Sequence, residues 1–339
     1  MPGKVKELIQ QINASHTHDN ITCVLADSLL SWAMEIAVDN QIKPASFVSF
    51  SATASVLISS IPTLIQDGII SHDGTPRKKQ MIEVSPSMPA MNTSSHFVWA
   101  RNRGFWEEQK LFFEYALRNN TSVELADFVI CISSYELEPE TFNTNPKIHP
   151  IAPLVGSNRS GNFLPEDLSC LKWLDGQPAN SVIYVAFGGH ATFDQTQFEQ
   201  FALGLQLSNR PFLWVVHPDI ADKLNIRGFQ ERVGNRGAPQ QKVLKHPSIA
   251  HFVTHCGWSS VLEAITNGVP LLCWPFSDDH FLIEHYICNV WKVGLGFNRE
   301  DGEVVTKEDV VSKSEELLSD GKYKANTLDL KEKLLNSIK

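Results

Sequence analysis

The stretch from Ala238 to Glu284 constrains the fold of this chain more than any other. Ala250–Thr254 is a short apolar run bounded on both sides, the pattern of a strand buried on both faces of a parallel sheet. His255-Cys256-Gly257-Trp258-Ser259-Ser260 reads as a turn into a helix over Val261–Asn267. Gly268 is the stop signal of that helix, and Val269–Trp274 is the next buried strand, ended by Pro275. The unit is therefore β-α-β. A small Gly- and Ser-containing turn that opens a helix after a strand is an anion site, because its unpaired N–H groups and the helix dipole favour phosphate. Glu263 lies early in the same helix, within reach of a ribose hydroxyl. Asp278, Asp279 and His280 follow the next strand on the same carboxyl edge, where ligands bind in open α/β sheets. These residues predict a nucleotide-type ligand, with polar groups beyond the phosphates for a sugar.

The rest of the chain repeats the alternation. Strands are predicted at Ile21–Ala26, Ala45–Phe50, Asp127–Ser133, Ser181–Phe187 and Pro211–Val216. Helices are predicted at residues 4–12, at Ser31–Gln41, over a stretch running to about Gln66, at Phe105–Asn119 and at Gln195–Leu207. Strands alternating with helices give a parallel sheet in each half. Residues 71–95, polar and rich in Pro, Ser and Met, read as a long loop. Residues 143–168 have little periodicity and hold the expected interdomain linker. The expected domains are residues 1–155 and 156–339, and the 339 residues suffice for two cores.

Charge and composition exclude some function classes. A net charge of −9 argues against a nucleic-acid partner, which needs a basic face. The chain has no apolar run of about 18 residues, so no membrane span is expected. Its first residues lack the apolar core of a signal peptide. The six cysteines form no C-x-x-C pair and several lie inside apolar runs, which fits a reducing, cytoplasmic compartment. His255, Cys256, His280 and His285 have no zinc-like spacing, so no metal is expected.

Several pieces in register resemble the signature of the plant secondary-product, UDP-dependent glycosyltransferases, of an 83A-like kind. They are Ala238-Pro239-Gln240, His246-Pro247, His255-Cys256-Gly257-Trp258, Glu263, Gly268-Val269-Pro270, Pro275 and Asp279. Trp173-Leu174-Asp175 and the run from Ser181 to Gly188 are similar to the same family's donor domain. The resemblance implies an α/β fold of the GT-B type, two facing Rossmann-like domains with parallel sheets, the first incomplete. It implies transfer of a hexose, glucose or galactose, from a UDP-sugar to a hydroxyl of a small lipophilic acceptor of phenolic, flavonoid or terpenoid type, with inversion. The UDP-sugar is a co-substrate, no cofactor is implied, and a monomer is expected. His255, Gly257 and the helix start at Ser259 and Ser260 would hold the diphosphate. Glu263 would bind the ribose hydroxyls, Ala238 and Gln240 would offer backbone groups to uracil, and Trp258, Asp279 and His280 would face the transferred sugar. His280 stands where glucose-transferring members usually have glutamine; histidine there is associated with galactose.

Asp27, ending the first predicted strand, resembles the acid partner of the family's histidine base, and a carboxylate capping the next helix is the plainer alternative. No residue matches that histidine, and His16 and His18 lie upstream of the strand. The helix that closes the family's fold is expected to be missing as well. Gly237 stands in place of a uracil-stacking tryptophan, Ser259 in place of asparagine and Gly189 in place of serine, and residues 234–238 look as if a strand were deleted. Phe97–Trp106 and the loop at 83–95 would line the acceptor pocket, or form ordinary core. Against the transferase reading stands a non-catalytic remnant that at most binds a nucleotide or small molecule. A third reading, an unrelated α/β metal hydrolase, lacks ligand spacing.

Overall fold

A computed structural model describes residues 2–15, 20–84, 88–93, 97, 106–151, 168–188, 194–216, 233–234, 239–275, 279–297 and 304–337. The chain divides into two compact units, Met1–Leu154 with Ser277–Leu282, and Val155–Phe276 with Ile283–Lys339.

The first unit opens with helix α1 (Pro2–Ala14) and strand β1 (Cys23–Asp27), followed by α2 (Ser31–Asp39) and β2 (Lys43–Val48). Helices α3 (Ala52–Ser59) and α4 (Ile61–Gln66) come next, then β3 (Met81–Ile82), β4 (Met91–Asn92), α5 (Trp106–Leu125) and β5 (Phe128–Ile132). Helix α6 (Pro139–Thr144) and β6 (Ile148–Ile151) complete it. Its main sheet has the order β1-β2-β5-β6, all parallel. Small and aliphatic side chains fill one face: Met34, Val48, Ala52, Val129 and Ile148 are buried. β1 is an edge strand, and Leu25 on it is 55% exposed.

The start of α3 is capped twice. Ser51 Oγ accepts from Ala54 N (3.0 Å), while the buried Glu138 carboxylate accepts from Ala52 N (3.0 Å) and Thr53 N (2.8 Å). Ser133 donates its hydroxyl to the same carboxylate (2.5 Å). Burial pushes the Glu138 carboxyl above its ordinary value, against the pull of those hydrogen bonds.

The second unit runs α7 (Ser169–Asp175), β7 (Val182–Ala186), α8 (Gln195–Leu207), β8 (Phe212–Val215) and β9 (Val233–Gly234). It continues through α9 (Gln240–Leu244), β10 (Ile249–Thr254), α10 (Trp258–Asn267), β11 (Leu271–Cys273) and β12 (Gly294–Gly296); between the last two strands lies α11 (His280–His285), whose first three residues belong to the first unit. Helices α12 (Lys307–Ser319) and α13 (Gly321–Ser337) end it. The sheet order is β12-β11-β10-β7-β8-β9, again parallel throughout. Every residue of β7 and β10 is buried, as a central parallel strand covered on both faces requires. One face carries an aromatic cluster in which Trp214 stacks on Phe198 (4.8 Å) and meets Phe201 edge-on (5.1 Å). Trp274 meets Phe201 and Phe297 in the same edge-on manner. α8 and α12 approach so closely that a Cβ on Gly204 would lie 2.6 Å from Val310 Cβ.

Several expectations need correction. Ile148–Ile151, inside the expected linker, is a strand: its alternation is too short to register, and β5 supplies its hydrogen bonds. The loop at 71–95 contains a two-stranded antiparallel hairpin, β3 with β4. Val233–Gly234 pairs with β8, while residues 235–238, where a strand looked deleted, lie outside the described residues. The helix expected at Val261 begins at Trp258, since Gly257 is its N-cap, while Gly268 closes it in the left-handed region (φ 71°) as expected.

Candidate functional site

The carboxyl ends of β7 and β10 carry the turn singled out in the sequence. Thr254 Oγ accepts from Cys256 N (3.2 Å), and Cys256 itself is left-handed at φ 71°. A non-glycine residue held there is strained. Cys256 is buried, and its thiol donates to Thr254 O (3.7 Å). Burial raises the Cys256 thiol above its ordinary value, so it serves as a neutral apolar anchor.

This anchor turns the backbone so that α10 starts at Trp258 with no side-chain cap. Ser259 and Ser260 therefore sit in the first helical turn, among amides that lack intrahelical acceptors. His255 lies over two glycines. A Cβ on Gly257 would be 2.4 Å from its Nε2, and one on Gly188, itself at φ 70°, would be 3.1 Å away. Only glycine at both positions lets an imidazole rest against the backbone beside the open helix end. The arrangement concentrates N–H donors, a helix dipole and an imidazole around one point, the chemistry of an anion site.

Glu263 stands one turn along α10. Gln240 Nε2 donates to its Oε2 (2.8 Å) and to Ser260 Oγ (3.0 Å), and Gln241 Nε2 donates to its Oε1 (3.1 Å). The glutamines belong to α9, which Val243 and Leu244 bury into the core. Gln241 was not singled out from the sequence. A second glutamine beside the first is the only local signal, and it does not say where the side chain goes.

Trp258 is buried, its ring 6.2 Å from that of Trp291. Asp279 precedes α11, whose first residue is His280, and both are partly exposed. At the far end of the chain's first strand, Asp27 Oδ1 accepts from Leu29 N (2.9 Å), a local turn; α2 itself has Leu30 at its N-cap. Ala238, Gly237, Gly189, Asp278, His16 and His18 lie outside the described residues, as does most of Phe97–Trp106; Phe97 is buried. Among the described residues, no group of three or more His, Cys, Asp or Glu is disposed to hold a metal ion, and no helix is long and apolar enough to cross a membrane.

Two separated sequence pieces meet in a latch. His246 Nδ1 accepts from Ser248 N (3.3 Å) and pairs with Ser248 Oγ (2.7 Å), so Nε2 carries the proton and donates to Asp175 Oδ1 (3.2 Å). The order Asp-His-Ser is that of a hydrolytic triad, but Ser248 is 1% exposed, so no substrate reaches its hydroxyl. The contact closes the end of α7 onto the entry to β10.

The chain is similar to known proteins over most of its length. A family model described as UDP-glucoronosyl and UDP-glucosyl transferase matches residues 79–334. The chain is 42% identical over 350 residues to UDP-glycosyltransferase 83A1 of Arabidopsis thaliana, covering 100% of this chain and 74% of that protein. It is 29% identical over 342 residues to linamarin synthase 1 of Manihot esculenta, covering 92% and 69%. The structure of Phytolacca americana UGT2 complexed with UDP-2fluoro-glucose and pterostilbene superposes with a TM-score of 0.81 at 26% identity, covering 99% of this chain and 76% of that one.

Proposed function

The chain belongs to the UDP-glucoronosyl and UDP-glucosyl transferase family and shares the GT-B fold class, and from that premise we propose how its residues act. The activity is transfer of a hexose, glucose or galactose, from a UDP-sugar to a hydroxyl of a small lipophilic acceptor. The supporting observation is the open start of α10 beside His255, with Glu263 held one turn further on. His255 and the first-turn amides and hydroxyls of Ser259 and Ser260 bind the diphosphate and neutralise the charge that UDP gains on leaving. Glu263 accepts from the ribose hydroxyls. Ala238 and Gln240 hold the uracil through backbone groups. Trp258, Asp279 and His280 meet the sugar, with Trp258 acting from a buried position.

The acceptor oxygen attacks the anomeric carbon from the face opposite UDP, so the new C–O bond forms as the bond to the diphosphate breaks and the configuration inverts. The acceptor's proton needs a base. Asp27 is the acid partner of a histidine in this reading, and among the described residues its carboxylate meets only Leu29 N. Base catalysis contributes about 10²–10⁴-fold, so residues 1–339 are expected to bind UDP while turning over far below about one per second, the low end of ordinary enzymes.

Calorimetry with UDP, then UDP-glucose and UDP-galactose offered with a panel of phenolic, flavonoid and terpenoid acceptors, tests the reading on the full chain. UDP binding lost in Glu263→Ala supports the donor site; equal affinity in wild type and variant overturns it. Binding without glycoside formation is the outcome that favours a nucleotide-binding remnant. If glycoside forms, a donor ratio unchanged in His280→Gln removes His280 as the sugar selector.

A further inference from the structure

We propose that Gln241 is a positioning residue of the nucleotide site, fixing the Glu263 carboxylate in the orientation that receives a vicinal diol. The proposal rests on Glu263 being the ribose-binding group. A glutamate on a helix surface has three rotatable bonds and sweeps a wide arc unless it is held. Here each oxygen is held separately, Oε2 by Gln240 at 2.8 Å and Oε1 by Gln241 at 3.1 Å. Neighbouring residues on a helix point about 100° apart, so the two amides approach the carboxylate from different sides and define its plane.

The remaining valence sets what can bind. An ionised carboxylate offers about four lone-pair sites, and the two amides take one on each oxygen. One acceptor site per oxygen is left, side by side, which matches two adjacent hydroxyls donating in parallel. The two glutamines are not equivalent. Gln240 divides its amide between Glu263 and Ser260, at the helix start, whereas the Gln241 amide donates to Glu263 and to no other described side chain. Loss of Gln241 leaves the carboxylate on a single tether about which it rotates, with the helix start untouched. Val243 and Leu244, 0% and 1% exposed, keep α9 in place whatever stands at position 241.

The test compares UDP with 2′,3′-dideoxyuridine diphosphate, which keeps the base and phosphates and lacks the diol. Calorimetry on the full chain is expected to show Gln241→Met weakening UDP by about tenfold, the loss of one hydrogen bond to a charged group, and leaving the dideoxy ligand unchanged. Gln241→Leu, near in size and likewise without an amide donor, gives the same selective loss and serves if the methionine variant fails to fold. Unchanged UDP affinity in these variants, or an equal loss for both ligands, overturns the assignment of Gln241. If the wild type fails to bind UDP, or binds both ligands equally, the ribose role of Glu263 is what has failed.

Discussion

The two sheets bury their parallel strands with different side chains. The first unit packs small and aliphatic residues against β2 and β5, and leaves β1 at an edge with Leu25 half out of the core. The second interlocks Phe187, Phe198, Phe201, Trp214, Trp274 and Phe297 over strands buried on both faces. Among the titratable side chains each unit buries, Glu138 and His251 are treated in opposite ways. Glu138 receives two backbone amides and a hydroxyl. His251, on β10, is 0% exposed, and neither ring nitrogen is hydrogen-bonded to any described residue. A buried polar group that is satisfied holds a structure together, and one that is not weakens it. The contrast is between these two side chains: Glu138 ties α3 to the residues after β5, and His251 is carried inside a strand of the aromatic core.

The largest effect that can break this contrast lies in the aromatic cluster. Trp214→Ala is expected to destabilise by about 3–5 kcal/mol, whereas Val48→Ala, in the first sheet, costs about 2 kcal/mol. Urea unfolding of both variants measures this, and a reversed order would refute the division of labour. Next is the polar pair. Glu138→Leu strands three donors and is expected to cost about 3 kcal/mol. His251→Leu removes a group with nothing to lose and is expected to be neutral, or stabilising by up to about 1 kcal/mol.

Acid sharpens the same comparison. Burial, with Arg210 nearby, lowers His251 from 6.5 to about 3. The unfolded chain therefore takes a proton that the folded chain refuses, and stability falls as pH drops below 6.5 towards 3, by about 1.4 kcal/mol per unit at most. Glu138 has the opposite sign: its carboxyl is raised by burial, so its contribution is fully present below the ordinary carboxyl value and is lost as pH rises through the folded one. Melting temperatures against pH should show His251→Leu flattening the acid limb and Glu138→Leu leaving that limb in place. The smallest effect is at the latch. Asp175 is 75% exposed, so Asp175→Asn is expected to cost less than about 1 kcal/mol. A larger loss by thermal unfolding would mean that His246 and Ser248 depend on the charge.

Legibility followed burial. The second sheet's strands were readable because strands covered on both faces are continuous apolar runs, and β7, β8 and β10 fall within about a residue of their expected ends. Gln195–Leu207 was readable to the residue because Asp194 caps it, its Oδ1 accepting from Gln197 N. Ile148–Ile151 was hidden because four residues that include His149 and Pro150 carry no period, and their strand state depends on β5. The helix start at Trp258 was misplaced by three residues because the left-handed Cys256 that brings the turn round is a conformation the residue type does not announce.

What the amino-acid order determined by itself was therefore the parallel α/β character of both halves and the turn from β10 into α10. Both arise from local rules: apolar runs, a glycine stop, and amides left over at a helix start. Tertiary structure alone decided which side chains meet: Gln241 with Glu263 across 22 positions, His246 with Asp175 across 71, and Glu138 with Thr53 across 85. Such pairs depend on sheet register and helix packing, which bring distant positions within a hydrogen bond of each other and leave no periodic trace in the chain.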